Sequence, residues 1–213
     1  MAAVPRLRHP TPLGRLPRGG RTKGHPVNSV PRSDASAPLA HVTVDIVGHP
    51  FRAIWTPEDG ALRAGGFATP EDPEAHSLLT RLAALDPARA GRGLAPAETA
   101  TGQIPEALRA YAGGELAAVD ALPVAQPETP FRGEVWRALR QVAAGRAVTY
   151  TELAARAGRP SAVRAAASGC ANNLVALVVP CHRIVRTDGG LGGYLFGVEI
   201  KERLLQHEGA LLG

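Results

Sequence analysis

Residues 174–183 read LVALVVPCHR, six apolar residues followed by a proline, a cysteine, a histidine and an arginine. The apolar run predicts a buried β-strand, and Pro180 ends it because proline has no backbone N–H to donate. Cys181 then stands where the strand breaks. Apolar burial raises the pKa of a thiol, so a reactive Cys181 requires a base or a positive charge nearby, and His182 and Arg183 follow directly. The alternative is a small core residue beside a structural histidine.

Composition restricts the class of protein. The chain has 213 residues, 45% of them hydrophobic, enough for one large domain or two small ones with a real core. No apolar run approaches the roughly 20 residues that span a bilayer, and no secretory signal follows the basic N-terminus, so we predict a cytoplasmic protein without membrane contact. Cys170 and Cys181 are the only cysteines, which excludes a disulfide framework and paired CxxC zinc sites. The seven histidines do not cluster at ligand spacing, so we predict that the protein binds no metal. We also predict no cofactor, and we expect a monomer.

Charge is divided unevenly along the chain. Residues 1–33 hold seven Lys and Arg and no acid, residues 34–130 hold six against thirteen Asp and Glu, and residues 131–213 hold eleven against six. A polyanion such as DNA is attracted by the last segment and repelled by the middle one. We therefore expect DNA to bind the C-terminal part.

The chain divides into three predicted segments. Residues 1–38, rich in Arg, Pro and Gly without periodicity, predict a disordered basic extension. An accessory nucleic-acid contact, an upstream start codon without function and a transit peptide are open interpretations of it. Residues 39–125 alternate apolar and polar positions and then show helical spacing over 71–85 and around 107–111, which predicts an N-terminal α/β domain with a small antiparallel sheet. Nothing in this acidic half looks catalytic. Three prolines within 122–130 predict a linker to a third segment, residues 126–213.

Residues 126–213 predict a mainly α-helical domain, so the fold class of the whole chain is α+β. A first helix is expected over 131–144. Thr149 and Glu152 have the spacing of a capping box, and Ser161 is placed to cap the next helix, which runs to about residue 172. These two short helices about a Gly-containing turn predict a helix-turn-helix.

Two features of this domain depart from ordinary helix composition. Arg164 is the one long cation on a helix of small residues, which fits either an Ala-rich core helix or a helix lying in a DNA groove. We favour DNA because the thiol follows closely. The last helix is expected over 198–207, and Glu208 is an acid at its end, where the helix dipole disfavours it. Orienting His182 would explain its presence, whereas fraying at an exposed helix end is the alternative.

Several motifs of this part occur together in one known family. They are Val-Pro-Cys-His-Arg-Ile-Val (179–185), Ser-Ala-Val-Arg (161–164), Asn173, Gly-Tyr (193–194) and His-Glu-Gly (207–209). In this order and spacing they resemble the methylated-DNA–protein-cysteine methyltransferases, the 6-O-alkylguanine-DNA alkyltransferases, from residue 130 to 209. Residues 41–125 look like the less distinctive N-terminal domain of that family, and residues 1–38 have no counterpart. The sequence AAASGCANN (165–173) is similar to that of the adaptive-response alkyltransferases, whose zinc-binding cysteines this chain lacks.

The resemblance implies a single-turnover methyltransferase. It would flip an alkylated base out of duplex DNA and transfer the alkyl group from 6-O-alkylguanine, with 4-O-methylthymine as a second candidate substrate, to Cys181. His182 and Glu208 would form, through a water, the relay that yields the thiolate, and Asn173 would hold the active-site turn. Tyr150 would protonate the departing guanine. The thioether formed has no easy exit, so each molecule should act once.

The resemblance also implies the contacts with DNA and with the base. The residues expected at DNA are Ser161, Arg164, Ala165 and Tyr150; Arg164 would fill the gap left by the flipped nucleotide. The residues expected at the base pocket are Tyr194, Leu195, Val179 and Pro180.

Two departures and two competing functions complete the expectations. Leu174 stands where many members have proline, which predicts a looser turn, and Phe196 stands where many have a small residue, which predicts a pocket that favours methyl over benzyl adducts. The main alternative function is a non-catalytic protein that binds alkylated DNA or regulates. Such relatives lack the acceptor thiol, so Cys181 weighs against it. A Cys-His hydrolase is the third reading, for which no feature indicates a carbonyl substrate.

Overall fold

The first three strands pair in chain order, as their alternating pattern predicts. The computed structural model describes residues 37–97 and 102–211, so all of the predicted extension except its last two residues lies outside them. Strands β1 (Leu39–Ile46), β2 (His49–Trp55) and β3 (Leu62–Phe67) form an antiparallel meander. The β1–β2 turn consists of Val47 and Gly48, both with positive φ, as a tight two-residue hairpin turn requires.

A fourth strand makes the sheet mixed. Strand β4 (Leu94–Pro96) pairs with β1 in parallel, and the strand order is β3-β2-β1-β4. The expectation of a purely antiparallel sheet was therefore wrong at this edge. The sequence predicted a loop there because three residues among Ala, Gly and Pro carry no alternating pattern.

Three helices accompany the sheet: α1 (His76–Leu85), α2 (Pro87–Ala90) and α3 (Gln103–Ala112). Helix α1 begins five residues later than position 71, where the sequence placed its start. The carboxylate of Asp72 accepts hydrogen bonds from the backbone N–H groups of His76 and Ser77, at 2.7 and 2.8 Å, and so satisfies the first free donors of the helix.

The C-terminal part is helical with one small parallel strand pair. Its elements are α4 (Pro130–Arg140), β5 (Val148–Thr149), α5 (Tyr150–Arg156), α6 (Val163–Ala171), a 3₁₀ helix (Cys181–Arg183), β6 (Ile184–Val185) and α7 (Val198–His207). The capping box of Thr149 and Glu152 is present in both directions, and α7 has the predicted bounds. Ser161 does not cap α6: Ala162 holds the cap position without a side-chain hydrogen bond. Helices α5 and α6 are the pair that the predicted helix-turn-helix requires, and that assignment stays a prediction.

Residues 174–179 are buried but do not form the predicted strand. They make a single bridge to β3, at Gly65 and Val175, and then coil through successive turns in which Val178 donates to Ala176 and Val179 to Val175. Leu177 has a positive φ of 69°, which no strand tolerates. The apolar composition thus predicted burial correctly, but it contained no period that separates a strand from buried turns.

The edge of β3 connects the sheet to this segment. Gly65 donates to the carbonyl of Leu174 at 2.8 Å and accepts from Ala176 at 2.9 Å. The described residues, 37–97 and 102–211, belong to one compact unit, and the division into domains at 39–125 and 126–213 stays a prediction. No helix of the described residues is long and apolar enough to span a bilayer.

Candidate active site

Cys181 opens onto a cavity of about 300 Å³ between residues 193–196 and helix α6. The thiol lies at the start of the 3₁₀ helix and is partly buried. Helix α6 supplies small side chains to the wall, which keeps the cavity open. The remaining lining comes from Tyr150, Asn173, Ala176 and residues 193–196. The cavity is therefore a mostly apolar pocket with a nucleophile at its wall.

His182 is completely buried and contacts Glu208 directly. The Nε2 atom of His182 lies 3.0 Å from the Oε1 atom of Glu208. Burial disfavours a charged carboxylate, but hydrogen bonds from His182 and Arg183 outweigh that effect and hold the pKa of Glu208 far below its ordinary value. An ionised carboxylate can only accept, so Nε2 of His182 must carry the proton. The structure thus brings together the two residues to which the sequence assigned a shared relay, and the relay itself stays a prediction.

The other ring nitrogen of His182 is available as a base. Burial lowers the pKa of His182, so the ring is neutral at pH 7, and its Nδ1 atom then has a free lone pair. Among the described residues no group donates to this buried Nδ1 atom. The arrangement can take up one proton through Nδ1, and Glu208 stabilises the imidazolium that results.

Arg183 and Tyr111, neither of which was predicted to contact Glu208, complete the Glu208 site. Arg183 donates to both carboxylate oxygens, from Nη2 at 2.8 Å and from Nε at 2.9 Å, and also to the carbonyl of Val142. Tyr111 of helix α3 donates to Oε1 of Glu208 at 2.7 Å. The sequence offered no catalytic candidate in the acidic half, and the structure shows that this half nevertheless contacts the site through Tyr111. Tyr111 sits on the apolar stripe of its helix, where its sequence position indicates only packing.

Asn173 holds the turn that carries the thiol. Its Nδ2 atom donates to the carbonyl of Val179 at 2.8 Å and to the sulfur of Cys181 at 3.4 Å. Its Oδ1 atom accepts from the backbone N–H of Val175 at 3.1 Å. The side chain of Asn173 thus links Val175, near the start of this apolar segment, to Val179 and Cys181 at its end. These contacts explain how a segment without regular structure keeps one conformation.

The thiol is protonated in the resting site. Burial raises the pKa of Cys181, and the Asn173 amide and the nearby cations Lys201 and Arg81 oppose that rise only in part. The ammonium of Lys201 is itself buried and donates to the carbonyls of Ile184 and Leu191. The thiolate must therefore form by proton transfer rather than exist at rest.

Two tyrosines, Tyr150 and Tyr194, line the cavity. Burial raises the pKa of Tyr150, at the start of α5, and raises the pKa of Tyr194 well above its ordinary value, so both keep their protons at neutral pH. The hydroxyl of Tyr194 is buried and has no hydrogen-bond partner among the described residues. Both tyrosines occupy the positions that the sequence predicted for them.

Of the other predicted pocket residues, Leu195 lines the cavity, whereas Val179 and Pro180 do not. Leu195 lines the cavity and is 56% exposed, so it forms the rim. Val179 and Pro180 are buried and do not belong to the lining; their part in substrate binding stays a prediction. Phe196, which the sequence singled out as a departure, is a lining residue that packs edge-on against Tyr194 and Phe67.

The exposed face of helix α6 leads to the cavity. Arg164, Ala167 and Ala171 recur at helical spacing on one face, and the latter two line the cavity. Arg164 is exposed, as are Ser161 and Ala165. Arg164 thus lies on the helix face that continues into the cavity wall, and the DNA contacts of Ser161, Arg164 and Ala165 stay a prediction.

Comparison with known proteins agrees with this site. The family model for the 6-O-methylguanine DNA methyltransferase DNA binding domain matches residues 130–210. The methylated-DNA–protein-cysteine methyltransferase of Shigella flexneri is 44% identical over 114 residues, 54% of this chain and 67% of that protein. The bifunctional transcriptional activator/DNA repair enzyme Ada of Escherichia coli is 49% identical over 87 residues, 41% of this chain and 25% of Ada.

Solved structures extend the match beyond the C-terminal part. The O6-methylguanine methyltransferase of Mycobacterium tuberculosis superposes with a TM-score of 0.61 at 25% identity, covering 81% of this chain and 93% of that one. A structure of the M. tuberculosis protein OGT in complex with DNA matches with the same score and covers 80% of this chain. Sequence and fold agree, and the chain belongs to the family of methylated-DNA–protein-cysteine methyltransferases.

Proposed function

We propose that this protein repairs DNA by transferring an alkyl group from O6 of guanine to the sulfur of Cys181. The observation that carries the proposal is the thiol in the wall of a cavity, next to a neutral histidine whose free Nδ1 atom can accept a proton. Family membership supports the same reaction.

The transfer requires a thiolate, a leaving group and a path for one proton. In the proposed step the Cys181 proton moves to Nδ1 of His182 through a water. The sulfur attacks the alkyl carbon, a new S–C bond forms, and the C–O6 bond breaks with its electron pair passing to guanine. Tyr150 supplies a proton to the departing base, and its raised pKa keeps that proton available. The proton held by His182 then returns to the Tyr150 phenolate through water, so that overall the thiol proton replaces the alkyl group on guanine.

The reaction should occur once per molecule. Water does not displace a thioether as it hydrolyses a thioester, and His182 has no means to reverse an S–C bond. One protein molecule is therefore consumed for each lesion.

Access to a base in duplex DNA requires the nucleotide to leave the stack. Flipping costs a few kcal/mol, and less for a damaged base that pairs poorly. Arg164, one helical turn before Ala167 of the cavity wall, is placed to occupy the gap that the nucleotide leaves. The exposed Arg156 adds positive charge on the preceding helix, which attracts the phosphate backbone.

We include 4-O-methylthymine as a second substrate because its alkyl oxygen presents the same chemistry to the sulfur. Action in the cytoplasm, as a monomer, also belongs to the proposal.

One experiment tests the proposed reaction. The protein is incubated with a duplex that contains a single 6-O-methylguanine, and its peptides are weighed. We expect one methyl group on the Cys181 peptide, none in Cys181→Ser, and no second turnover with excess DNA. A parallel duplex with 4-O-methylthymine tests the second substrate. Binding without a gain in mass would support the non-catalytic alternative, and continuous turnover of a model ester would support a hydrolase.

A further inference from the structure

Gln126 clamps two successive residues of the active-site turn. It lies before α4, in the segment that the sequence predicted as a linker. Its Oε1 atom accepts from the backbone N–H of Leu174 at 2.8 Å, and its Nε2 atom donates to Oδ1 of Asn173 at 3.1 Å. No role was expected for it, because its position carries no recognisable motif.

The polarity of these contacts fixes the amide of Asn173. A backbone N–H can only donate, so Leu174 requires the oxygen of Gln126, and the NH₂ group of Gln126 must then face Asn173. Oδ1 of Asn173 consequently points to Gln126, and its Nδ2 atom points to the sulfur of Cys181 at 3.4 Å. The backbone N–H of Val175 favours the same orientation.

We propose that Gln126 is a positioning residue for the Cys181 thiol, acting through Asn173. The inference deepens the proposed alkyl transfer and rests on it for the role in repair. A donor held against the sulfur favours the thiolate, whereas a reversed or mobile amide presents its oxygen and disfavours the anion. Gln126 thus sets how readily the acceptor ionises without touching the substrate.

Leu174 contributes its backbone N–H to this arrangement of Gln126 and Asn173. The sequence predicted that a residue other than proline would loosen the turn after Asn173. Proline has no N–H, and Gln126 could not hold it in this way. Here the N–H of Leu174 is used, and Arg81 of helix α1 holds the turn from another side by donating to the carbonyls of Ala171 and Asn173, at 2.9 and 3.2 Å. Hydrogen bonds therefore hold the turn after Asn173 in place, whereas a proline at position 174 would restrict it through its ring.

Two variants of Gln126 separate positioning from general destabilisation. Gln126→Met keeps the size and removes both hydrogen bonds. Gln126→Glu keeps an acceptor for Leu174 but turns a second acceptor toward Oδ1 of Asn173. Gln103→Glu, at the exposed first position of α3, is the control for the added negative charge. Gln126 is partly exposed, so we expect all three proteins to fold.

The main readout needs no DNA. The rate of Cys181 alkylation by iodoacetamide is followed against pH by peptide mass spectrometry, which separates Cys181 from Cys170. We expect the apparent pKa of the thiol to rise by about one unit in Gln126→Met and further in Gln126→Glu, with alkylation at pH 7 slowed about tenfold. Gln103→Glu should match the wild type.

Methyl transfer from 6-O-methylguanine DNA is then measured with the same proteins, and we expect a similar slowing. Wild-type profiles in both Gln126 variants would overturn the inference. If wild-type protein takes no methyl from DNA, the proposed function fails, yet the iodoacetamide profiles still decide whether Gln126 positions the thiol.

Discussion

Glutamine in place of Glu208 should strongly destabilise the fold. The carboxylate accepts from four donors, Tyr111, His182 and two nitrogens of Arg183, at 2.7 to 3.0 Å, and its side chain is buried. Glutamine keeps the shape but loses the charge and turns an NH₂ group toward a donor. Arg183, 1% exposed, is then a buried cation without a counter-ion. Breaking one partner of a buried pair costs about 3–5 kcal/mol, which lowers the Tm of a domain of this size by roughly 6–20 °C.

Urea unfolding, followed by the fluorescence of the two tryptophans, measures this cost. Glu199→Gln is the matched control, because Glu199 forms an exposed pair with Arg203 on the same helix and should contribute less than about 0.5 kcal/mol. The pKa of Glu208 is depressed in the folded state, so its stabilising effect is complete above the ordinary carboxyl value of 4.5 and is lost as pH falls below it. As pH falls below 4.5, the difference in free energy of unfolding between wild type and Glu208→Gln should therefore narrow by up to about 1.4 kcal/mol per pH unit. A Glu208→Gln protein within about 1 kcal/mol of wild type at pH 7 would refute the reasoning.

Three further substitutions test the proposed roles. Arg164→Ala should slow methyl transfer from duplex DNA about tenfold and leave transfer from the free base 6-O-methylguanine unchanged, because only the duplex has a gap to fill; equal losses with both substrates would contradict this. Tyr150→Phe should slow transfer from DNA by about 100-fold while Cys181 keeps its iodoacetamide reactivity within twofold, as expected for a proton donor to the base; a parallel fall in both rates would instead indicate a role at the thiol. Phe196→Ala should raise the benzyl-to-methyl rate ratio about tenfold by widening the cavity, and an unchanged ratio would remove Phe196 from adduct selection.

Local chemistry explains which parts of the structure the sequence could predict. The capping box at Thr149 and the bounds of α7 depend on neighbours within a few residues, and both are confirmed. The strand predicted for residues 174–179 does not form, because Asn173 and the edge of β3 set their conformation. Neither contact leaves a periodic signal in the sequence. The reactive cysteine and its histidine could be found because they adjoin each other, whereas the state of the thiol depends on partners distant in sequence.

Residues before position 130 contact the site even though the recognisable motifs lie after that position. Tyr111 donates to Glu208 across 97 residues of sequence, and Gln126 orients Asn173 across 47. The sheet also supports the cavity wall: a Cβ atom on Gly66 of β3 would lie 2.6 Å from the ring of Phe196, so only glycine allows that ring its present place. The three contacts support different parts of the site, namely the carboxylate of Glu208, the amide of Asn173 beside the thiol and the ring of Phe196 in the cavity wall. A chain with all the motifs of residues 130–210 but without these partners would therefore carry a cysteine of different reactivity in a pocket of different size.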